Sequence, residues 1–368
     1  MNTVKKRDCF KMRTLSVRSS TNEYNVYIGK GLRHQLQDFI PKKYSAILVI
    51  TDDTIKTLYL QDILNNFTKD NVYTSIIPSG ESSKNMETYH TLQTAALSYG
   101  LDRQSLIIAL GGGVVGDLAG FVAATFMRGI DHIQIPTTIL AHDSSVGGKV
   151  AINHELGKNL IGSFYPPVAV VYDVETLSSL PAQEVRSGVA ELVKEGLIAD
   201  SKLFSQLTAT DLKHLNSEKL SEYLLKGIHV KAHIVERDEK ESGERKFLNL
   251  GHTLAHAIET EYNYGQITHG EAVAIGLLFS LYVSEQLHQS ELPRQPLANW
   301  MKQNSYPLET NNLNVSSLID HMHKDKKAVN QQIQMVLLKK IGQPFTEIIA
   351  DHLLEKLLKE FIEELKEL

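Results

Sequence analysis

The chain is poor in cysteine. Its 368 residues include 1 Cys, at position 9, beside 15 His and 43 Asp plus Glu. A single thiol cannot form an internal disulfide or a cysteine-rich zinc or iron–sulfur site. Any metal site must therefore use His or carboxylate ligands.

Long apolar runs and an excess of positive charge are also lacking. No stretch approaches the 18 apolar residues of a membrane span, and the basic segment 1–13 lacks the apolar run of a secretory signal. A net charge of -5 disfavours a general nucleic-acid binder. We therefore expect a cytoplasmic protein without membrane or nucleic-acid partners, and a frayed segment over 1–13.

The first half alternates short apolar runs with segments that suit helices. Apolar runs cover 46–50, 72–77 and 106–110, each ending in a polar or Gly-rich loop, and 86–98 suits a helix. This alternation is typical of an α/β fold with a parallel sheet, whose ligands bind in loops at the carboxyl ends of the strands.

The second half has fewer glycines and more helical periodicity. We predict helices over 181–198, 217–237, 249–262, 270–287 and 347–368. The apolar stripe of the last segment would pack on the other helices or, alternatively, bind a partner. The sequence thus predicts an α/β domain over 1–180 and an all-α domain over 181–368.

A glycine-rich loop follows the third apolar run. Gly111, Gly113 and Gly116 have the G-x-G-x-x-G spacing between a predicted strand and a predicted helix over 118–127. Such a loop lets the backbone approach a pyrophosphate at a helix N-terminus. A tight strand-to-helix turn is the alternative. Asp131 is not assigned to a ribose, because no strand clearly ends there.

Two Gly-flanked lysines, Lys149 and Lys158, follow this loop. We expect both in loops, where they would contact phosphate or carboxylate groups or simply be solvated. The first is followed by Val150, so the segment is not a Walker A motif.

Two histidines lie one helical turn apart in the second half. From spacing alone, His252 and His256 are a candidate zinc pair, with a structural pair as the alternative. Glu191 and Lys194 lie three residues apart on another predicted helix.

Together these motifs resemble the 3-dehydroquinate synthase family, whose superfamily includes other sugar-phosphate cyclases and iron-dependent alcohol dehydrogenases. The resemblance extends from about Tyr24 to about Leu338. It is carried by residues 78–81 with Lys84, and by 111–117, 126–129, 143–149, 158–159, 190–194, 249–256 and 269–271.

The resemblance implies a Rossmann-like NAD domain over 1–180, a helical metal- and substrate-binding domain over 181–368, an active site in the cleft between them, and a homodimer. It also implies one zinc or cobalt ion on Glu191, His252 and His269. His269 thereby replaces His256 as the second histidine ligand, and His256 would face the substrate.

The implied reaction is that of a carbon–oxygen lyase acting on a sugar phosphate. It converts 3-deoxy-D-arabino-heptulosonate 7-phosphate into 3-dehydroquinate and phosphate. A hydroxyl is oxidised by NAD, phosphate is eliminated, the hydride returns, and the opened ring closes by an intramolecular aldol step.

The family motifs also suggest contact residues. The substrate set is Arg128, Asp143, Lys149, Lys158, Asn159, Lys194, Lys231, Arg245, Asn249, His256 and Lys327. The NAD set is Asp52, Ser79, Gly80, Glu81, Ser82, Ser83, Lys84, Gly113, Val114, Val115, Gly116, Asp117, Thr137, Thr138, Lys149, Lys158, Thr176, Leu177, Ser178 and Ser179.

Some alternatives stay open. The ribose contact is Asp52 or Asp53, and the late substrate lysine is Lys327 or Lys326. At the level of function, the alternatives are another sugar-phosphate cyclase, a polyol or alcohol dehydrogenase of the same superfamily, and a catalytically silent NAD-binding protein.

Overall fold

The computed structural model describes residues 12–19, 22–68, 70–262, 266–309, 313–324 and 332–367. Cys9, Lys326 and Lys327 lie outside the described residues. The described chain divides into two compact units. The first takes the residues through Ser179 with Asn216–Leu225, and the second takes Leu180–Leu215 with Lys226–Leu368. That the first unit binds NAD and the second a metal stays a prediction.

The first unit is built on a seven-stranded sheet. Its strand order is β1-β2-β9-β6-β5-β3-β4, in which β1 and β2 are antiparallel and all other neighbours are parallel. A separate antiparallel hairpin joins β7 and β8. The strands are β1 Arg13–Arg18, β2 Glu23–Gly29, β3 Ile47–Asp52, β4 Val72–Ile77, β5 Leu106–Gly111, β6 Asp131–Pro136, β7 Lys149–His154, β8 Gly157–Phe164 and β9 Ala169–Asp173.

Apolar side chains cover both faces of this sheet. All six residues of β5 are buried. Ile107 and Ala109 belong to the core that includes Leu118 of the following helix, whereas Ile108 belongs to the core on the opposite face with Leu36. Because strands buried on both faces read as continuous apolar runs, the parallel α/β prediction is confirmed.

Helices and short turns connect the strands of the first unit. Met86–Ser98 has the predicted bounds, and Asn85 caps it by accepting the Thr88 N–H at 2.9 Å. The helix after the glycine loop begins at Gly113, five residues before the predicted start. The helical segments are Leu32–Phe39, Asp53–Ile55, Lys56–Leu60, Gln61–Leu64, Glu81–Ser83, Met86–Ser98, Gly113–Thr125, Phe126–Arg128, Ala141–Ser144 and Thr176–Ser179.

The second unit is mainly helical, as predicted, and it adds one hairpin. Strands β10 Gln334–Leu338 and β11 Pro344–Ile348 pair in antiparallel register. The helical segments are Ala182–Ala199, Ser201–Thr208, Leu212–His214, Ser217–Arg237, Glu244–Asn249, His252–Glu261, His269–His288, Arg294–Gln303, Val315–Lys324 and Asp351–Glu367. The first part of Ser217–Arg237 belongs to the first unit.

In the second unit, two further predicted helix starts are wrong for identifiable reasons. The helix predicted from Asn249 begins at His252, because Gly251 has a left-handed φ of 81° and breaks the helical backbone. The helix predicted from Glu347 begins at Asp351, because Glu347 pairs with Met335 across the hairpin.

Crossing a lipid bilayer requires a long apolar helix. None of the described helices combines that length with that composition.

A buried histidine lies in the core of the first unit. Both ring nitrogens of His132, on β6, lack a hydrogen-bond partner within the described part of the chain. The ring stacks on Tyr165 with centroids 5.7 Å apart. Burial disfavours the charged imidazolium and lowers the pKa of His132 to about 4. The folded protein therefore keeps this side chain neutral at pH values where the unfolded chain protonates it.

We predict that His132 makes the protein sensitive to acid. Because the folded pKa lies below the unfolded value, stability is lost as the pH falls from about 6.5 towards 4, by up to about 1.4 kcal/mol per pH unit. His132→Leu should flatten this dependence. Urea midpoints at pH 7, 5.5 and 4.5 test this, with the exposed His90→Leu as control. Equal slopes for wild type and His132→Leu would contradict the prediction.

Candidate functional site

Three side chains of the second unit converge into a possible metal centre. Glu191 comes from Ala182–Ala199, and His252 and His269 are the first residues of their helices. The Glu191 Oε1 atom lies 3.5 Å from His252 Nε2 and 3.3 Å from His269 Nε2. One ligand atom from each residue lies within 4.8 Å of the others. A carboxylate and two imidazoles in this arrangement suit a catalytic divalent metal.

Two glycines allow the three helices to approach this closely. A Cβ atom on Gly270 would lie 1.8 Å from the Ser187 carbonyl oxygen. A Cβ on Gly276 would lie 1.9 Å from the carbonyl oxygen of Gly251, the residue before His252. The first contact places His269 beside the helix that carries Glu191, and the second places His252 against the buried helix His269–His288. Only glycine permits either contact.

Polar contacts reinforce the first of these crossings. The Gly270 N–H donates to Ser187 Oγ at 3.0 Å. The Arg186 guanidinium donates to Glu271 Oε1 from Nε at 2.8 Å and lies 2.7 Å from it through Nη2. Glu271 also forms a capping box with Thr268 at the start of the His269 helix. These contacts hold the first turn of the helix His269–His288 against the helix that carries Glu191.

Each histidine uses Nδ1 for a structural contact. The His252 Nδ1 lies 3.2 Å from the Leu250 carbonyl oxygen, and the His269 Nδ1 lies 3.0 Å from Glu259 Oε2. Both Nδ1 atoms therefore face acceptors, and each ring can offer the Nε2 lone pair to a metal ion that displaces a proton. The donor set fits a divalent metal.

The electrostatics of the group favour an added cation. Burial would raise the pKa of Glu191, but the charge of Lys194 and contacts with His252 outweigh it and hold that pKa well below its usual range. Burial would lower the pKa of His269, but the Glu259 and Glu191 carboxylates raise it to about 10. Two buried carboxylates thus stabilise positive charge at this position.

His256 lies beside this group and belongs to a second possible one. Its ring centroid is 5.6 Å from that of His252 and 5.9 Å from that of His269. Ligand atoms of His256, Glu259 and His269 also lie within 4.8 Å of one another. Both groups share His269. That the metal binds Glu191, His252 and His269, rather than His256, Glu259 and His269, stays a prediction.

Buried cations lie in the same unit. The Lys194 Nζ is 2.6 Å from Glu191 Oε2, and Lys194, Lys231 and Arg245 are all buried. Guanidinium and ammonium groups can bind carboxylate or phosphate groups. Three buried cations in one unit are therefore compatible with an anionic ligand.

A loop anchored on Asp238 carries the arginine of this set. Asp238 Oδ2 accepts the N–H groups of Gly243 at 2.7 Å and Arg245 at 2.9 Å. Desolvation would raise the pKa of Asp238, but these bonds lower it to about 2. Asn249, at the end of the following turn, donates to Glu241 Oε1 at 2.7 Å. The loop therefore has a defined shape.

Apart from Lys149 and Lys158, the predicted cofactor residues of the first unit lie at the carboxyl ends of parallel strands, or in the turns and helices that follow. Asp52 ends β3, residues 79–84 follow β4, residues 113–117 follow β5, Thr137 and Thr138 follow β6, and 176–179 follow β9. The helix after β5 has Gly112 as its N-cap, which offers no side chain to the first-turn N–H groups. Such an end suits an anionic group.

The two acidic residues after β3 have different partners. Asp52 is buried, and its Oδ1 accepts the Ile55 N–H at 2.8 Å. Asp53 Oδ1 accepts the Ser79 N–H at 3.1 Å, and hydrogen bonds from the Ser79 hydroxyl and from this N–H lower the pKa of Asp53. The second acid thus joins the loop after β3 to the loop after β4. Which of them would meet a ribose stays open.

The prediction that Lys149 and Lys158 lie in loops is wrong. Lys149 begins β7 and Lys158 lies in β8, because the intervening chain forms an antiparallel hairpin that pairs its backbone groups. Asn159, beside the second lysine, has a left-handed φ of 57°. Its Oδ1 accepts a hydrogen bond from Lys84 Nζ at 2.5 Å, and the same Nζ lies 2.5 Å from Asp117 Oδ2. Lys84 and Asp117, candidates for NAD binding, therefore lie beside Asn159, a candidate for substrate binding.

Two further substrate candidates lie elsewhere in the first unit. Arg128 is exposed in a turn where Met127, Arg128 and Gly129 all have positive φ, of 49°, 71° and 120°. Consecutive left-handed residues are strained and are frequent near functional sites. Asp143 lies in the short helix Ala141–Ser144. Lys327 lies outside the described residues, so its role as a substrate contact stays a prediction.

Sequence reasoning missed the residues that orient the metal group. Glu259 lies seven residues after His252, on the same face of one helix, and this spacing could have identified it. Arg186 and Glu271 are distant in sequence, and no local pattern links them.

Comparison with protein families matches both halves of the chain. Residues 74–187 match the family model "3-dehydroquinate synthase N-terminal", and residues 188–328 match "3-dehydroquinate synthase C-terminal". A 3-dehydroquinate synthase of Oceanobacillus iheyensis is 56% identical over 97% of this chain and 100% of its own length. One from Halalkalibacterium halodurans is 49% identical over 96% and 99%.

Solved structures share the fold. A 2-deoxy-scyllo-inosose synthase, complexed with carbaglucose-6-phosphate, NAD+ and Co2+, aligns with a TM-score of 0.84 at 26% identity, over 95% of this chain and 100% of its own. The 2-epi-5-epi-valiolone synthase of Streptomyces hygroscopicus, with NAD+ and Zn2+ bound, aligns with a TM-score of 0.83 at 23% identity, over 96% and 99%. The similarity to the valiolone synthase, at 23% identity, supports a shared fold and nothing more.

We predict that His269→Ala and His252→Ala each lose bound metal, whereas His256→Ala retains it. The first two substitutions remove Nε2 atoms that face Glu191, and the third removes a ring beside them. Metal content after dialysis against a weak chelator measures the effect. Metal loss from His256→Ala together with retention by His252→Ala would instead favour the group of His256, Glu259 and His269.

We also predict that Gly270→Ala lowers stability by about 1–3 kcal/mol and weakens metal binding, because the added Cβ separates two helices. Gly196→Ala is the matched control. It lies on the same helix as Glu191, and its Cβ would crowd Phe204 at 2.8 Å from the backbone nitrogen. Both variants should melt earlier, but only Gly270→Ala should bind metal more weakly. Unchanged metal affinity in Gly270→Ala would refute the positioning role.

Proposed function

Because the chain belongs to the 3-dehydroquinate synthase family, we propose that it converts 3-deoxy-D-arabino-heptulosonate 7-phosphate into 3-dehydroquinate and phosphate. The observation that carries this proposal is the group of Glu191, His252 and His269 in a unit that also buries Lys194, Lys231 and Arg245. A metal site beside buried cations suits a substrate that bears hydroxyl, carboxylate and phosphate groups.

Glu191, His252 and His269 would hold the metal. A divalent ion supplies a Lewis acid that acidifies a coordinated hydroxyl. Around it, Glu259 fixes the ring of His269 through Nδ1, and the Leu250 carbonyl does the same for His252. These contacts orient both Nε2 atoms before any ion binds. Zinc and cobalt both suit this donor set, and solved relatives of the fold carry Zn2+ or Co2+.

NAD would bind at the carboxyl ends of the parallel strands, where the loops 79–84 and 113–117 lie. The dinucleotide supplies a hydride acceptor that is restored within each turnover. The backbone of Gly113 begins a helix whose N-cap is glycine, and this end is suited to the pyrophosphate. Asp53 keeps the loop that begins at Ser79 in place.

The cations would bind the anionic groups of the substrate. Arg245 is buried on a loop fixed by Asp238, so its guanidinium is oriented in advance for a carboxylate or phosphate. Lys194 balances the charge of Glu191 at 2.6 Å and can donate to a substrate oxygen at the same time. Lys231 adds a third buried positive charge.

His256 is the candidate for moving protons. Its ring lies within 6 Å of both histidine ligands but makes neither of the Nε2 contacts with Glu191. A neutral imidazole next to the reacting hydroxyl could accept its proton and return it later. The departing phosphate could share this role.

We further propose that the protein is a carbon–oxygen lyase that works in the cytoplasm as a homodimer. This part of the proposal rests on the resemblance to the family alone.

The alternatives of another sugar-phosphate cyclase or a dehydrogenase are disfavoured, since curated relatives at 45–56% identity are 3-dehydroquinate synthases.

The proposal is tested by incubating the protein with the heptulosonate phosphate, NAD and zinc or cobalt. We expect equal amounts of phosphate and 3-dehydroquinate, with no net NADH, and no product when NAD or metal is removed. A protein that accumulates stoichiometric NADH without releasing phosphate is a dehydrogenase. Activity on an uncarboxylated sugar phosphate only would identify another cyclase.

A further inference from the structure

The hairpin formed by β7 and β8 contains an irregularity at Asn153. The strands pair regularly at Ile152 and Ile161, and again at His154 and Gly157, so the register shifts around Asn153. Residues 158–160 lie opposite this single residue. Bulges of this kind re-aim side chains and are frequent beside active sites. Here the bulge contains Lys158 and Asn159, two candidates for substrate binding.

Asn153 bonds to both sides of this irregularity. Its Oδ1 accepts the Asn159 N–H at 2.9 Å, and its Nδ2 donates to Glu81 Oε1 at 2.7 Å. Its backbone N–H, which has no ladder position at the bulge, donates to the Lys84 carbonyl oxygen at 2.8 Å. One residue thus contacts the loop after β4 through two groups and the opposing strand through a third.

Lys84 closes the connection from the other side. Its side chain is 4 % exposed, and its Nζ lies 2.5 Å from both Asn159 Oδ1 and Asp117 Oδ2. Asn159 has a left-handed φ of 57°, a conformation that costs free energy for a non-glycine residue. The bonds to its N–H and to its Oδ1 therefore determine where this side chain points.

We propose that Asn153 is a positioning residue that couples the cofactor loop 79–84 to the substrate hairpin, so that bound NAD increases the affinity of the hairpin for the phosphorylated substrate. This inference rests on the proposed function. Any ligand that orders Glu81 and Lys84 also orders Asn153 and Asn159, since hydrogen bonds join them. Coupling of this kind is reciprocal, so substrate should also increase the affinity for NAD.

The test measures the affinity for a phosphonate analogue in which a methylene group replaces the bridging phosphate oxygen, so that elimination is blocked. Calorimetric titrations with and without saturating NAD give a coupling factor for each variant. Turnover of the true substrate by the wild type is measured first. An inactive wild type would refute the proposed function, and the inference with it.

We expect Asn153→Ala to reduce the coupling factor about tenfold, because two side-chain hydrogen bonds are lost. Asn153→Asp should behave alike, since its carboxylate repels Glu81. Adding Glu81→Gln to that variant should restore coupling, because the amide can donate to the new carboxylate. His154→Ala is the control, as the side chain of this exposed neighbour accepts a hydrogen bond from the N–H of Leu156.

An active wild type with the same coupling factor in Asn153→Ala would overturn the inference while leaving the proposed function intact. Failure of the double variant to recover coupling would also count against it, since the role would then not depend on the hydrogen bond to residue 81. Melting temperatures of all variants establish that the comparison is made between folded proteins.

Discussion

The close approach of three helices in the second unit is the constraint on which the candidate metal centre depends. It is possible only because Gly270 meets the Ser187 carbonyl and Gly276 meets the Gly251 carbonyl at distances that exclude any Cβ atom. The ionic contact of Arg186 with Glu271 joins two of these helices near the same point. Tight packing, polar capping and ligand placement are therefore one structural feature in this protein.

Charged side chains surround the point where these helices pack together. Glu191 and Glu259 face His269 from two sides, and Lys194 faces Glu191. Each carboxylate has a cationic or hydrogen-bonding partner, as the burial of charge demands. The net charge of -5 gives no hint of this, because it averages over solvated surfaces. The local balance, rather than the total, suits the unit to a metal ion and an anionic substrate.

Sequence patterns predicted the elements better than their contacts. The bounds of Met86–Ser98 and Ser217–Arg237 were correct, because side-chain periodicity and capping are local properties. The hairpin that contains Lys149 and Lys158 was not predicted, since β8 carries two glycines and mostly exposed side chains and so lacks the apolar alternation typical of a strand. Glu259 was within reach of helical spacing, whereas the pairing of Arg186 with Glu271 depends on how two helices cross.

The sequence by itself determined the kinds of ligand available, the parallel α/β character of the first half and the helical character of the second. The scarcity of cysteine left only histidine and carboxylate ligands for a metal. Which of them meet was decided by tertiary structure. Spacing along one helix favoured His252 with His256, whereas the structure also brings Glu191 within 3.3–3.5 Å of His252 and His269, because glycines let their helices touch. Local periodicity carries no information about such crossings, since the residues involved are far apart along the chain.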